Sequence, residues 1–419
     1  MPRPITRRGL LASVIHAAGV AMLAAGSGCT AKGSLQALRE EVQALQGARV
    51  AVPPLPGFRD LRGVIHTHSY LSSDSDGRPE EFLTGAQQAK LDYLVITDHF
   101  DPRIFIEGLK GQYGDLTVIH GAEFPLGCTR KRGLARRCAS ILGFGFGPSI
   151  VPTFSPDAYS KPELIAQIKR HGGLVFLGHA RGVSDPQYFG MVHGMEVFNI
   201  ADTMREQYLS FPEFMVDLFV TQQEYHEELL LSVIERPNWL LARWDRLTRA
   251  GHRVVGIGGN DAHQNLSVLG VLVDPYGLVY RILNTHVLVD VQDSESPAPP
   301  STQVLLAALR QGRCYLAFSL LCDASGFQFY AADPRSGRPV AMMGAVWEHV
   351  PCPQLVVRLP RVGAIEIIKN GVPEFRTVGR ELEYTPSGPG VYRVEAFLKL
   401  QRRWRSWIIS NPIYLLPGC

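Results

Sequence analysis

The chain has 419 residues, of which 46% are hydrophobic and 19% charged, and its formal net charge is +3. That composition fits a globular protein long enough for two domains and a large core, and the charge is too small to argue for nucleic acid as a partner. One local basic cluster, Arg130, Lys131, Arg132, Arg136 and Arg137, reads as a solvated loop.

Residues 1–29 read as an export signal outside the fold. Arg7 and Arg8, the apolar run through Ala25, and then Gly26, Ser27 and Gly28 follow the basic, hydrophobic and small-residue order of such signals. The Arg pair resembles a twin-arginine signal. Cys29 is a candidate lipidation site that would tether the protein to a membrane, although Gly26 stands where a lipobox usually carries Leu. The expected location is therefore the periplasm or the cell envelope. A retained membrane helix is disfavoured, because the run falls short of the roughly 20 residues a span needs and is broken by His16 and several glycines. The seven cysteines, at 29, 128, 138, 314, 322, 352 and 419, show no C-x-x-C spacing, which argues against a structural zinc knuckle. Cys128 and Cys138 can pair in an oxidising compartment.

Residues 34–46 carry Leu35, Leu38, Val42 and Leu45 at helical spacing, and the Pro-rich stretch 51–57 leads into the main domain. Apolar, strand-like runs then recur at 63–65, 93–97, 117–119, 139–144, 174–177, 195–198 and 254–257. Helices are predicted between several of them: 79–91 with Pro79 in its first turn, a segment opened by a Ser160/Glu163 capping box, and 239–250 closed by Gly251. Continuous apolar strands alternating with helices predict an α/β fold with a parallel sheet covered on its faces, and about seven such units predict a closed barrel over residues 58–320. Residues 302–310 form a returning helix. From 324 to 419 the pattern changes to short strands without helices, with Asn370-Gly371 as a hairpin turn, which predicts a small antiparallel β-sandwich domain.

A metal-competent side chain ends nearly every predicted barrel strand. His66 and His68 follow the first, Asp98 and His99 the second, and Glu123 the third; His179, Glu196 with Asn199, and Asp261 with His263 follow later ones. In a parallel barrel these ends share one rim. The number of imidazoles and carboxylates exceeds the three protein ligands of a catalytic zinc, so two or three ions are implied, with a carboxylate such as Glu123 bridging. Imidazole with carboxylate favours zinc, manganese or iron over calcium. Such clusters activate a bridging hydroxide for in-line displacement, and no Ser or Cys in a nucleophile-elbow setting competes for that role.

In this order the motifs His66-Thr-His68 with its Ser-Asp-rich loop, Thr97-Asp-His99, Gly121-Ala-Glu123, His179 and Asp261-Ala-His263 resemble the PHP (polymerase and histidinol phosphatase) superfamily over residues 60–320. The resemblance implies a distorted seven-unit α/β barrel, a trinuclear site and phosphoester hydrolysis. The export signal, the Ser73-Asp74-Ser75-x-Gly77 loop and the trailing Ser410-Asn-Pro-Ile-Tyr414 look most like a carbaryl-hydrolase branch, whose substrates need not be phosphates. The implied ligands are His66, His68, Asp74, His99, Glu123, His179, Asp261 and His263, with Asp74 preferred to Asp76 and with Asp98 orienting His99. The chain departs from the family at Cys138, where a His is usual, so that either a thiolate is the ligand or one metal is weakened or lost, and at Ala180-Arg181, where Pro is usual and Arg181 would hold an anionic substrate oxygen. The expectation is an exported metal-dependent hydrolase of a small, anionic ester, most simply a phosphoesterase using a metal-bridging hydroxide. A carboxylic-ester, carbamate or amide hydrolase on the same metals and a non-catalytic envelope binding protein are the alternatives. His120, His171, His193, His226, His252 and His286 read as surface or core groups, with His193 worth checking for its nearness to Glu196.

Overall fold

The computed structural model describes residues 28–129, 137–147, 160–208, 224–233, 235–268, 271–291 and 299–418. The signal segment through residue 27, most of the basic cluster and Cys419 lie outside them. Among the described residues no helix is long and apolar enough to cross a membrane.

Helix α1 (Gly28–Gly47) leads into strand β1 (Phe58–Ile65), helix α2 (Pro79–Gln88) and strand β2 (Tyr93–His99). There follow β3 (Gly111–Tyr113), β4 (Leu116–Thr129), β5 (Arg137–Phe144), α3 (Lys161–Arg170), β6 (Leu174–Gly178), α4 (Tyr188–Met191), β7 (Gly194–Asn199) and α5 (Ile200–Tyr208). The next elements are α6 (His226–Val233), α7 (Asn238–Arg249), β8 (Val255–Gly259), β9 (Ser267–Val268), β10 (Val271–Leu272), α8 (Tyr276–Ile282) and β11 (Asn284–Asp290). Helix α9 (Thr302–Arg310) and strand β12 (Cys314–Ala317) precede the C-terminal strands β13 (Gln328–Ala332), β14 (Pro339–Met342), β15 (Val346–Trp347), β16 (Gln354–Lys369), β17 (Val372–Tyr384), β18 (Gly390–Leu400), β19 (Arg403–Ser410) and β20 (Ile413–Leu415).

Strands β1, β2 and β4 pair in parallel, as do β6, β7 and β8. Beyond the end of β8, a parallel bridge between Thr67 and Ala262 brings the chain back to β1. One strand breaks the expected all-parallel order. β5 pairs antiparallel with both β4 and β6, so its first residues, not its last, lie at the end where the parallel strands finish. The strands are buried on both faces, which explains their unbroken apolar runs. Ile65, Tyr93, Val95, Ile119, Phe144, Phe176 and Ile257 form an inner cluster, while the alternate residues Val64, Leu94, Ile96 and Val118 face the outer layer that includes the helices. Helix α3 begins as its sequence predicts: Ser160 N–H donates to Glu163 Oε2 at 3.0 Å.

The C-terminal strands pair antiparallel, with Asn370 and Gly371 both at positive φ in the β16–β17 hairpin. They are not set apart from the rest. β1 pairs with β11, β11 with β12 and β12 with β19, so main-chain hydrogen bonds cross the predicted domain boundary and eighteen strands form one sheet.

Candidate metal centre

The local sequence places the ligand side chains through strand ends and left-handed turns. His66, His179 and Asp261 have φ values of 68°, 46° and 51°. A non-glycine residue in that region costs on the order of 1–3 kcal/mol and persists where its surroundings fix it. Here the backbone is fixed by parallel contacts: Asp261 N–H donates to His66 O at 2.7 Å and His68 N–H to Ala262 O at 2.9 Å. Three strained residues turn their side chains into one volume.

At the centre lies the buried Glu123 carboxylate. Its Oε1 is 3.5 Å from His66 Nε2 and 3.4 Å from His179 Nε2, while its Oε2 is 3.4 Å from His68 Nε2 and 3.1 Å from His99 Nδ1. Asp261 sits across from it, with Oδ1 3.3 Å from His66 Nε2 and 3.4 Å from His68 Nε2, and Oδ2 3.5 Å from His179 Nε2. Asp74 completes the outer side, with Oδ2 3.1 Å from His99 Nε2 and 3.6 Å from His263 Nε2. Asp76 is exposed and stands outside the cluster. Three groups can each hold an ion: His66 with Glu123 and His179; His66 with His68 and Asp261; and His68 with Asp74, His99 and His263, the ligand atoms of each lying within 4.8 Å of one another.

The donor set fits divalent cations on two counts. Buried His66 Nε2 and His68 Nε2 have no hydrogen-bond partner, and the opposite nitrogen of each ring is held by an acceptor. His66 Nδ1 lies 2.6 Å from Glu196 Oε1. Ser72 Oγ donates to Asp98 Oδ1 at 2.7 Å, accepts from His99 N–H at 2.9 Å, and so is left to accept from His68 Nδ1 at 3.1 Å. His263 Nδ1 lies 2.9 Å from the Asp261 carbonyl oxygen. Each arrangement puts the proton on Nδ1 and the lone pair of Nε2 into the cluster, the pattern of histidines that bind metal.

Charge in the cluster points the same way. Burial alone would lower the His66 and His99 pKa values. Glu196, Asp261 and Glu123 nevertheless push His66 well above the usual imidazole range, and hydrogen bonds to Asp74 and Glu123 raise His99 to about 10. Burial would raise the carboxyls, but Asp74, Glu123 and Asp261 fall below their ordinary range beside these imidazoles. Protons stand in for cations here, and metal uptake would release them.

Two sequence expectations are corrected. Cys138 is not among the ligand groups: it is exposed and bonded to Cys128 with an S–S distance of 2.09 Å. The β4–β5 register pairs Cys138 directly with Cys128, beyond the bulge near Pro125 and outward of the Glu123–Leu142 pair. A sulfur in a disulfide offers no thiolate. Asp98 does not touch the His99 ring; it accepts from Ser69 N–H at 2.6 Å, Ser69 Oγ at 2.7 Å and Ser72 Oγ, and through Ser72 it orients His68. The Arg181 guanidinium carbon, expected to face a substrate oxygen, lies 6.0 Å from the centre of the Trp239 ring. His193 faces the base of β6, accepting from Val175 N–H at 3.0 Å, and burial lowers its pKa to about 4.

Several contributors carry no local motif. Glu196 accepts from His179 N–H at 2.7 Å and Asn199 Nδ2 at 3.0 Å as well as contacting His66, and a side chain at Gly259 would collide with its carboxylate. Asp202, on α5, places Oδ1 3.1 Å from His179 Nδ1. Ser72 is the simplest to test. Ser72→Ala removes one hydroxyl that holds both the His68 ring and the Asp98 carboxylate, and it is expected to weaken metal affinity roughly 10–100-fold, read by competition with a chelating dye.

No protein-family model matches the chain, and no curated protein does. Among solved structures, a two-domain protein of Bacteroides vulgatus ATCC 8482 containing a predicted PHP-like metal-dependent phosphoesterase is similar with a TM-score of 0.41 and 14% identity, covering 86% of this chain and 98% of that one. A candidate metal-dependent phosphoesterase of Bifidobacterium adolescentis ATCC 15703 gives a TM-score of 0.28 and 16% identity over 52% of this chain and 90% of that one. Likeness at this level says nothing about chemistry, which has to be read from the cluster itself.

Proposed function

We propose that the protein is a metal-dependent hydrolase of the PHP type that cleaves phosphoesters. The observation that carries this reading is Glu123, whose two carboxylate oxygens each face two imidazole nitrogens, so that it would be available to ions held by either pair. The ordered motifs from His66 to His263 add support. Bound divalent ions supply an activated water and neutralise charge developing on a phosphoryl group. The chain's own residues prepare that chemistry. Glu196, Ser72 and the Asp261 carbonyl fix which nitrogen of His66, His68 and His263 carries the proton, and buried Glu123 and Asp261 hold negative charge where cations are to sit.

The test is elemental analysis of the purified protein together with a screen of aryl phosphomonoesters and phosphodiesters. Two or three equivalents of zinc, manganese or iron are expected, with hydrolysis abolished by a chelator and restored by the metal. Fewer than two ions per chain, and no turnover with any metal supplied, would overturn the reading. Cleavage of aryl esters or carbamates in place of aryl phosphates would select the carbaryl-hydrolase branch instead.

Export through the segment 1–29 belongs to the same proposal. It is supported by the Arg7-Arg8 pair and the apolar run after it, and by the Cys128–Cys138 disulfide, which suits an oxidising compartment. Cell fractionation of the full chain, with Cys29→Ser as the lipidation control, tests it.

A further inference from the structure

A second cleft, of about 360 Å³, opens at the other end of β8 from the metal cluster. Arg253 and Val255 line it at the start of that strand, whereas Asp261 lies beyond its end, on the order of 20 Å away at the rise of an extended chain. Both halves of the sheet contribute to the walls: Arg253, Arg310 and Arg313 from one, and Met342, Met343 and Tyr414 from the C-terminal strands.

Its charge is unbalanced. Among the described residues no Asp or Glu lines the cleft. Arg313 Nη1 is paired with Asp290 at 2.6 Å, but its buried Nε has no hydrogen-bond partner. Arg310 Nη2 donates to the carbonyl of Gly172 at 2.9 Å, and the Arg253 guanidinium lies 5.5 Å from the centre of the Tyr414 ring. Among the described residues no carboxylate pairs with Arg253 or Arg310. The cleft thus carries two arginines without a paired carboxylate; a guanidinium fork can match an oxyanion in bidentate fashion, and methionines with a tyrosine ring suit an apolar body attached to it.

We propose that this cleft is a binding site for a small organic oxyanion, a carboxylate or a phosphoryl group carried on an aryl or acyl body, separate from the metal centre. Metal sites would not report on it, so the probe must be local. In full-length protein carrying methyl-¹³C methionine, the Met342 and Met343 signals, assigned with Met342→Leu and Met343→Leu, are followed during titration with benzoate and with phenylphosphonate. Saturable shifts of those two signals are expected with at least one probe, and the stronger of the two identifies the oxyanion as carboxylate or phosphoryl. Replacing the two exposed arginines together, Arg253→Gln with Arg310→Gln, is expected to weaken that binding at least tenfold while metal content stays unchanged. Unmoved methionine signals with both probes, or undiminished affinity in the double variant, would overturn the proposal.

Discussion

Glu123→Gln is expected to remove metal binding and hydrolysis together. The substitution keeps the side chain's size but replaces one acceptor oxygen by an NH₂ group, which must face either the His66 and His179 nitrogens or those of His68 and His99. An amide nitrogen has no lone pair for a cation, so at least one pair of imidazoles loses its shared ligand. Loss of an outer partner of a metal ligand costs roughly 10–100-fold; losing the shared ligand itself should exceed that range, with no more than one ion retained per chain. The metal-free protein gives an independent readout. Its His99 pKa, raised to about 10 by Asp74 and Glu123 against the effect of burial, should move down in the variant because one of its two partners is gone. A variant with its full metal content and parental turnover would remove Glu123 from the centre, and an unmoved His99 titration would contradict the contact itself.

The candidate site was legible in the sequence wherever a side chain is tied to the end of a strand. His66, His68, His99, Glu123, His179, Asp261 and His263 are brought together because each follows or lies on an apolar run that becomes a neighbouring strand. The residues that set their proton positions were not legible as such. Glu196 stood out on its strand as a metal-competent group but not as the partner of the His66 ring, and Ser72 and Asp202, which also act across the fold, look like any other polar residues in a loop or helix. Strand direction was hidden for a related reason. β5 has the same unbroken apolar pattern as its parallel neighbours, since burial on both faces erases the alternation that marks most antiparallel strands. Its reversal is what carries Cys138 outward to Cys128. The continuity of the C-terminal strands with the rest was equally invisible, because β11, β12 and β13 carry no turn signal that says which partners they choose.

Arg393→Met is expected to be among the most destabilising single changes outside the metal centre. Arg393, on β18, reaches the buried Asp245 of α7 with Nε–Oδ1 and Nη2–Oδ2 contacts of 2.6 and 2.7 Å, and Nη1 reaches Glu395 at 2.7 Å. The network joins a helix of the α/β half to a strand of the C-terminal half. Removing the guanidinium leaves the Asp245 carboxylate buried with no counter-charge, which costs about 3–5 kcal/mol, while Glu395 keeps Arg236. A melting temperature lower by several degrees is the expected readout, and Arg393→Met combined with Asp245→Leu should recover most of it because no uncompensated charge remains. The pH dependence separates this from simple loss of packing. Burial would raise the Glu395 pKa, but Arg236 and Arg393 hold it below the ordinary 4.5. A depressed carboxyl stabilises the fold above its unfolded pKa, and that contribution is lost as pH falls through the native value. Losing Arg393 removes part of that depression, so the gap in stability between parent and variant should narrow as pH falls below 4.5, whereas a defect of packing alone would leave it constant.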